Sequence, residues 1–220
     1  MRILRIILSI LFFPTALFVP AGRIDWPEAW AFILVFYTVA VSLRFWIAGR
    51  NPGLQKERNR HASDVEKWDT VLMGIYPVLL LAMLVISALD SGRFGWSNVP
   101  MRVRILGWIG LGIAGIIVWW VMSANPFASR WVRIQEDRGH TVIMEGPYRY
   151  VRHPMYVGII IFVISVPILL DSWWGLFPGV ATGLLFVYRT VLEERTLLLN
   201  LPGYADYALQ VRYRLIPGIW

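Results

Sequence analysis

Cysteine is absent from the 220-residue chain. Disulfide staples, thiolate metal sites and a cysteine nucleophile are therefore excluded, while the redox compartment is left open. Charge is scarce as well. Asp, Glu, Lys and Arg make up 16% of the residues, against about 25% in a soluble globular domain, which disfavours that class. The only histidines are His61, His140 and His153. None stands at metal-ligand spacing from a carboxylate, no HExxH motif occurs, and no zinc or iron site is indicated. A glycine-rich loop ending in Lys-Ser/Thr is missing, so a P-loop ATPase is not indicated.

What the chain has is apolar length. Hydrophobic residues make up 57% of it, with twelve tryptophans and nine tyrosines suited to headgroup depth. Apolar stretches fall near residues 3–20, 26–48, 70–89, 103–123, 156–170 and 174–192. A bilayer core needs about 20 helical residues. The first four stretches qualify. The last two are short or broken by Gly175, Pro178, Gly179 and Gly183, and read either as two ordinary spans or as a tight hairpin joined at Asp171-Ser172. MRILRIILSILFFP lacks a small-x-small cleavage site and reads as a retained first helix. The expected fold is all-α: a multi-span integral membrane protein with five to six transmembrane helices, the last two forming a helical hairpin.

The net charge of +7 sits mostly in short segments between apolar runs, a pattern of topology-setting loops and not of a nucleic-acid-binding face. Alternating crossings collect the N-terminus, the loops 49–68 and 125–155 and the tail from 193 on one side. These are the basic parts, so that side is expected to be cytoplasmic. Gly107, Gly110, Gly112 and Gly115 read as close helix packing.

Polar side chains concentrate at residues 145–156, EGPYRYVRHPMY, where Gly146-Pro147 breaks the chain and His153-Pro154 opens a helix. Arg189 stands deep in the last apolar stretch, with Glu193 and Glu194 one turn later. A charge that close to hydrocarbon marks a functional residue or an ion pair ending the helix. Residues 133–143 read as an extended piece with a short β-like HTVI. The tail, with Tyr204, Tyr207, Arg212 and Arg214, either covers a cleft or lies on the membrane surface.

GPYRYVRHPMYVG, then Arg-x-x-x-Glu-Glu, Gly-Tyr-x-x-Tyr and an Arg/Pro tail resemble the membrane-embedded isoprenylcysteine carboxyl methyltransferases, relatives of phospholipid N-methyltransferases and bacterial small-thiol methyltransferases. The resemblance implies N-terminal transmembrane helices over 1–124 and a methyltransferase core over 125–220, with a C-terminal cytoplasmic cofactor-binding region. It implies S-adenosyl-L-methionine as methyl donor and a lipidic or small hydrophobic acceptor entering from the bilayer, with no nucleic acid or obligate protein partner. His140, Thr141, Val142, Ile143, Tyr148, Arg152, His153, Pro154, Met155 and Tyr156 would line the cofactor, and Glu193 would bind its polar part. Arg189 would engage an acceptor carboxylate, whereas Glu194, Tyr204 or Tyr207 would serve an acceptor that must lose a proton. The expected location is a prokaryotic inner membrane, with the site facing the cytoplasm. A membrane reductase and a non-enzymatic membrane protein are the competing classes.

Overall fold

The computed structural model describes residues 2–59 and 65–220, with side chains from residue 10 onward. Arg60 and His61 of the second loop lie outside the described residues. Helix α1 spans Arg2–Ala21, α2 Pro27–Arg50, the short α3 Pro52–Arg58 and α4 Lys67–Ser87. Then come α5 Met101–Ala124, α6 Pro154–Leu169, α7 Leu176–Asn200 and the short α8 Tyr204–Gln210. A π-helical turn, Ala88–Phe94, prolongs α4 and stops at Gly95, whose φ of 63° lies in the left-handed region that ends helices. All regular structure among the described residues is helical, in line with the expected all-α class. The β-like reading of HTVI is corrected. Residues 140–143 form an irregular link between two 3-10 turns, Glu136–Arg138 and Gly146–Arg149, because no second strand lies beside them to take up their backbone groups.

Local chemistry explains several boundaries. Pro27, Pro52 and Pro154 each sit in the first turn of a helix, where a missing N–H costs nothing. Asn51 caps α3 by accepting the Leu54 amide at 2.9 Å. The helices Pro27–Arg50, Lys67–Phe94, Met101–Ala124 and Leu176–Asn200 are long and apolar enough to cross a membrane, and Ile10–Ala21 and Pro154–Leu169 are shorter apolar helices. The protein is an integral membrane protein.

At 1.5 Å per residue α6 measures about 24 Å, less than the ~30 Å hydrocarbon core. It nonetheless reaches the same end of the bundle as its neighbours. The turn after it is tied to the link between α4 and α5: Ser172 Oγ donates to Asp90 at 2.6 Å, the Trp173 amide to Ser97 Oγ at 3.0 Å, and the Val99 amide to Asp171 at 2.7 Å. The hairpin α6–α7 thus extends as far as α4 and α5 do. Hydroxyls and amides at this far end gather around the fully buried Asp90.

Helices α5 and α6 run antiparallel in close contact, the glycine row of α5 supplying half of the approach. A Cβ at Gly107 would lie 2.8 Å from the Leu169 amide nitrogen, and one at Gly110 would strike Ser165. Gly112 and Gly115 depart from the packing expectation: Gly112 has open space where its Cβ would be, and Gly115 only Val39 at 3.8 Å. The reason is angular. Gly107 and Gly110 share the face toward α6, whereas Gly112 lies some 200° further round from Gly110 at about 100° per residue. Gly107→Ala should therefore cost about 1–3 kcal/mol through overpacking against backbone, while Gly112→Ala should leave thermal unfolding in detergent unchanged or slightly raised.

Candidate active site

The polar concentration at 145–156 forms the wall of a cavity enclosing about 870 Å³ of space, part of it open to solvent. His153 precedes Pro154 as the residue capping α6. The C-terminal tail holds this mouth from outside: the Arg152 amide donates to the Tyr213 carbonyl and the His153 amide to the Arg214 carbonyl, each at 2.9 Å. Tyr204 and Tyr207 on α8 turn inward and are buried. The tail covers a cleft, as one of its two readings expects.

Every cofactor-side residue named from the resemblance lines this one cavity, from the 140–143 link through Tyr148 and residues 152–156 to Glu193. Asn125 Nδ2 donates to the Tyr148 hydroxyl at 2.7 Å, and the Tyr207 hydroxyl donates to the Tyr148 carbonyl at 2.8 Å. The Tyr156 hydroxyl donates to Glu193, and its ring stacks on His153 with centroids 5.6 Å apart. Burial pushes the His153 imidazole down to about 4; the Glu194 charge opposes this and the neighbouring Arg152, Arg214 and Arg189 reinforce it. His140 is likewise pushed down to about 4, by burial first and then by Arg133 and Arg138. Both rings are neutral at pH 7. Among the described residues no group of three or more His, Asp or Glu side chains gathers as a metal site.

Helix α7 delivers three charges to different partners. Arg189 and Glu193, one turn apart, both face the cavity as the spacing predicts. Arg189 does not close its ion pair along the helix, however. Its Nε and Nη2 donate to the two oxygens of Asp69 on α4, at 2.7 and 3.1 Å. Glu194, about 100° further round the helix, leaves the cavity wall and is clamped between Arg152 and Arg214. Two guanidinium groups thus occupy the carboxylate expected to serve an acceptor that loses a proton. Tyr207 does line the cavity, but its hydroxyl is committed as a donor to Tyr148, and burial pushes its pKa up.

Asp69, Asn125 and Gln135 were not singled out from the sequence. Asn125 and Gln135 line the cavity, and Gln135 Nε2 donates to the Phe127 carbonyl at 2.7 Å. For Asp69 a signal existed, an acidic residue at the very start of an apolar run, where burial demands a cation.

A second chamber lies within the membrane-spanning part. It encloses about 1500 Å³, partly open to the surroundings, and is walled mainly by α2, α5 and α6. Its lining is mostly apolar, with Phe36, Leu43, Trp119 and Phe162 among its side chains beside Arg58 and Tyr76, and Gly112 and Gly115 widen it. Met155 alone lines both spaces among the described residues.

Fold and cavities together define a multi-span membrane protein with a polar pocket at one end of its helices and an apolar chamber beside it. Residues 108–199 match the isoprenylcysteine carboxyl methyltransferase (ICMT) family, from mid-α5 almost to the end of α7. A protein-S-isoprenylcysteine O-methyltransferase of Schizosaccharomyces pombe is 26% identical over 86% of this chain and 80% of its own length. One from Tribolium castaneum is 26% identical over 52% of this chain and 40% of its own. The cobalt-zinc-cadmium resistance protein CzcN of Cupriavidus metallidurans is 22% identical over 62% of this chain and 59% of its own. Over residues 108–199 the chain is similar to the ICMT family, and it is an enzyme of the methyltransferase class.

The histidines give the fold an acid limit. Their pKa is about 4 when folded against 6.5 when free, so between those values the unfolded chain binds more protons. Their contribution is complete above about pH 6.5 and is lost as pH falls toward about 4. Melting temperatures in detergent should be level from pH 7.5 to 6.5 on this account and decline below, and His153→Gln should shrink the decline.

Proposed function

We propose that the protein transfers a methyl group from S-adenosyl-L-methionine to the carboxylate of an isoprenylcysteine-like acceptor, with the polar cavity holding the donor and the apolar chamber the acceptor's hydrocarbon. The observation that carries this reading is the junction of the two spaces at Met155, where a polar and a lipidic reactant would meet.

The wall chemistry fits such a donor. A sulfonium with an amino-acid end wants a carboxylate for its ammonium, donors for its carboxylate and aromatic or carbonyl surface beside its sulfur. Glu193 offers the carboxylate. Arg152 offers Nε, which is buried and has no hydrogen-bond partner among the described residues. Tyr148, His153 and Tyr156 offer ring surface. When bound, the group supplies a methyl carbon open to displacement: an acceptor oxygen pair forms the new C–O bond, the C–S pair returns to sulfur, and no proton moves.

Alignment and exclusion of water are what the protein must add to a displacement of this kind. The tail, pinned to the amides of Arg152 and His153, keeps the mouth closed from one side. The state of the titratable groups supports a carboxylate acceptor over an amine or thiol. Glu194 is occupied by two arginines, Tyr207 is held protonated, and His153 is a weakened base. An acceptor that loses no proton needs none of them. We place the cavity on the cytoplasmic side of a prokaryotic inner membrane, where the basic loops collect.

Calorimetric titration of detergent-purified protein with S-adenosylhomocysteine should show one site, and Glu193→Ala should weaken it at least tenfold. Folded wild-type protein that binds none refutes the reading. Gly112→Phe fills the apolar chamber and should lower kcat/KM for a prenylcysteine acid at least tenfold with S-adenosylhomocysteine affinity unchanged; an unaffected kcat/KM removes the chamber from the acceptor's path.

A further inference from the structure

Asp69 is fully buried and ties two parts of the site together. Its carboxylate accepts the Val132 amide at 2.8 Å, from the loop that walls the cavity, and both Nε and Nη2 of Arg189. Nη2 also donates to the Arg130 carbonyl at 3.0 Å. The guanidinium lies over the rings of Tyr156 and Phe186, at 5.2 and 5.8 Å from their centroids. The Nε/Nη2 edge is thus spent, and Nη1 is the donor left for a ligand in the cavity that Arg189 lines.

We infer that Asp69 is a positioning residue that moderates the charge of Arg189, so that the acceptor carboxylate is oriented through Nη1 without being over-stabilised as an anion. This rests on the proposed carboxylate acceptor. Methylation converts a carboxylate anion into a neutral ester, so negative charge on the acceptor falls on the way to the transition state. An unpaired arginine in a buried site binds the anionic ground state more strongly than that transition state, which tightens binding and slows the reaction. A paired arginine keeps its direction and loses much of its excess field. The bidentate geometry also prevents the guanidinium from turning its Nε/Nη2 edge to the substrate. The pairing joins α4 to α7 across 120 residues, a long reach for a contact needed only to end a helix.

The test compares wild type, Asp69→Asn and Asp69→Glu with N-acetyl-S-farnesylcysteine as acceptor, and measures the binding of that acid against its methyl ester. Asp69→Asn is expected to lower kcat at least tenfold and to lower the acid's KM about threefold or more. It should also raise the acid-to-ester affinity ratio, with S-adenosylhomocysteine binding within about threefold of wild type. Asp69→Glu keeps the charge and should keep the wild-type ratio, so it decides the matter even where Asp69→Asn does not fold. A raised or unchanged KM in Asp69→Asn, or equal losses for acid and ester, marks Asp69 as structural only and overturns the inference. A shifted ratio in Asp69→Glu overturns it as well. Wild-type protein that binds S-adenosylhomocysteine but does not methylate the acid overturns both the inference and the acceptor reading beneath it.

Discussion

Charge placed inside an apolar bundle has to find its counter-charge there, and helix α7 shows what that requirement does to the whole structure. Arg189 is satisfied by α4, Glu193 by the Tyr156 hydroxyl of α6, and Glu194 by Arg152 at the helix mouth and Arg214 in the tail. One turn of one helix thereby docks two other helices and both irregular segments. Breaking the Arg189–Asp69 pair strands a buried charge, a loss of about 3–5 kcal/mol. The cavity is the space left between partners that cannot move apart.

The two ends of the bundle solve the same problem differently. At the far end, the Asp90 carboxylate gathers the Ser97 and Ser172 hydroxyls and the amides of Ser97 and Trp174, and closes tightly. At the site end, ion pairs are spread around a hollow that Arg152 borders. Unpartnered buried atoms occur at both ends among the described residues: Arg152 Nε at this one, Ser87 Oγ and Arg104 Nε at the other.

Much of this site is legible in the chain. Breakers at Gly146-Pro147 and His153-Pro154 announce the helix mouth, and the one-turn spacing of Arg189 and Glu193 announces a shared face. The same local rules mislead where a longer contact wins. Glu193 and Glu194 look interchangeable on paper, yet the helical rotation between them sends one to the cavity and the other to a clamp. The glycines of α5 look alike, yet their angular positions divide them between a packed seam and an open chamber.

Composition and hydrophobic length by themselves determined a helical membrane protein, because an apolar run without internal backbone partners has no stable alternative in lipid. The breaker pairs Gly146-Pro147 and His153-Pro154 determined where the mouth of α6 opens. Only the tertiary structure decided who neutralises Arg189, which glutamate faces the cavity, and that a mostly apolar chamber shares Met155 with the polar one. Those outcomes depend on how helices far apart in sequence rotate against each other. That rotation is set by burial and charge pairing summed over the bundle, which no local stretch of the chain encodes.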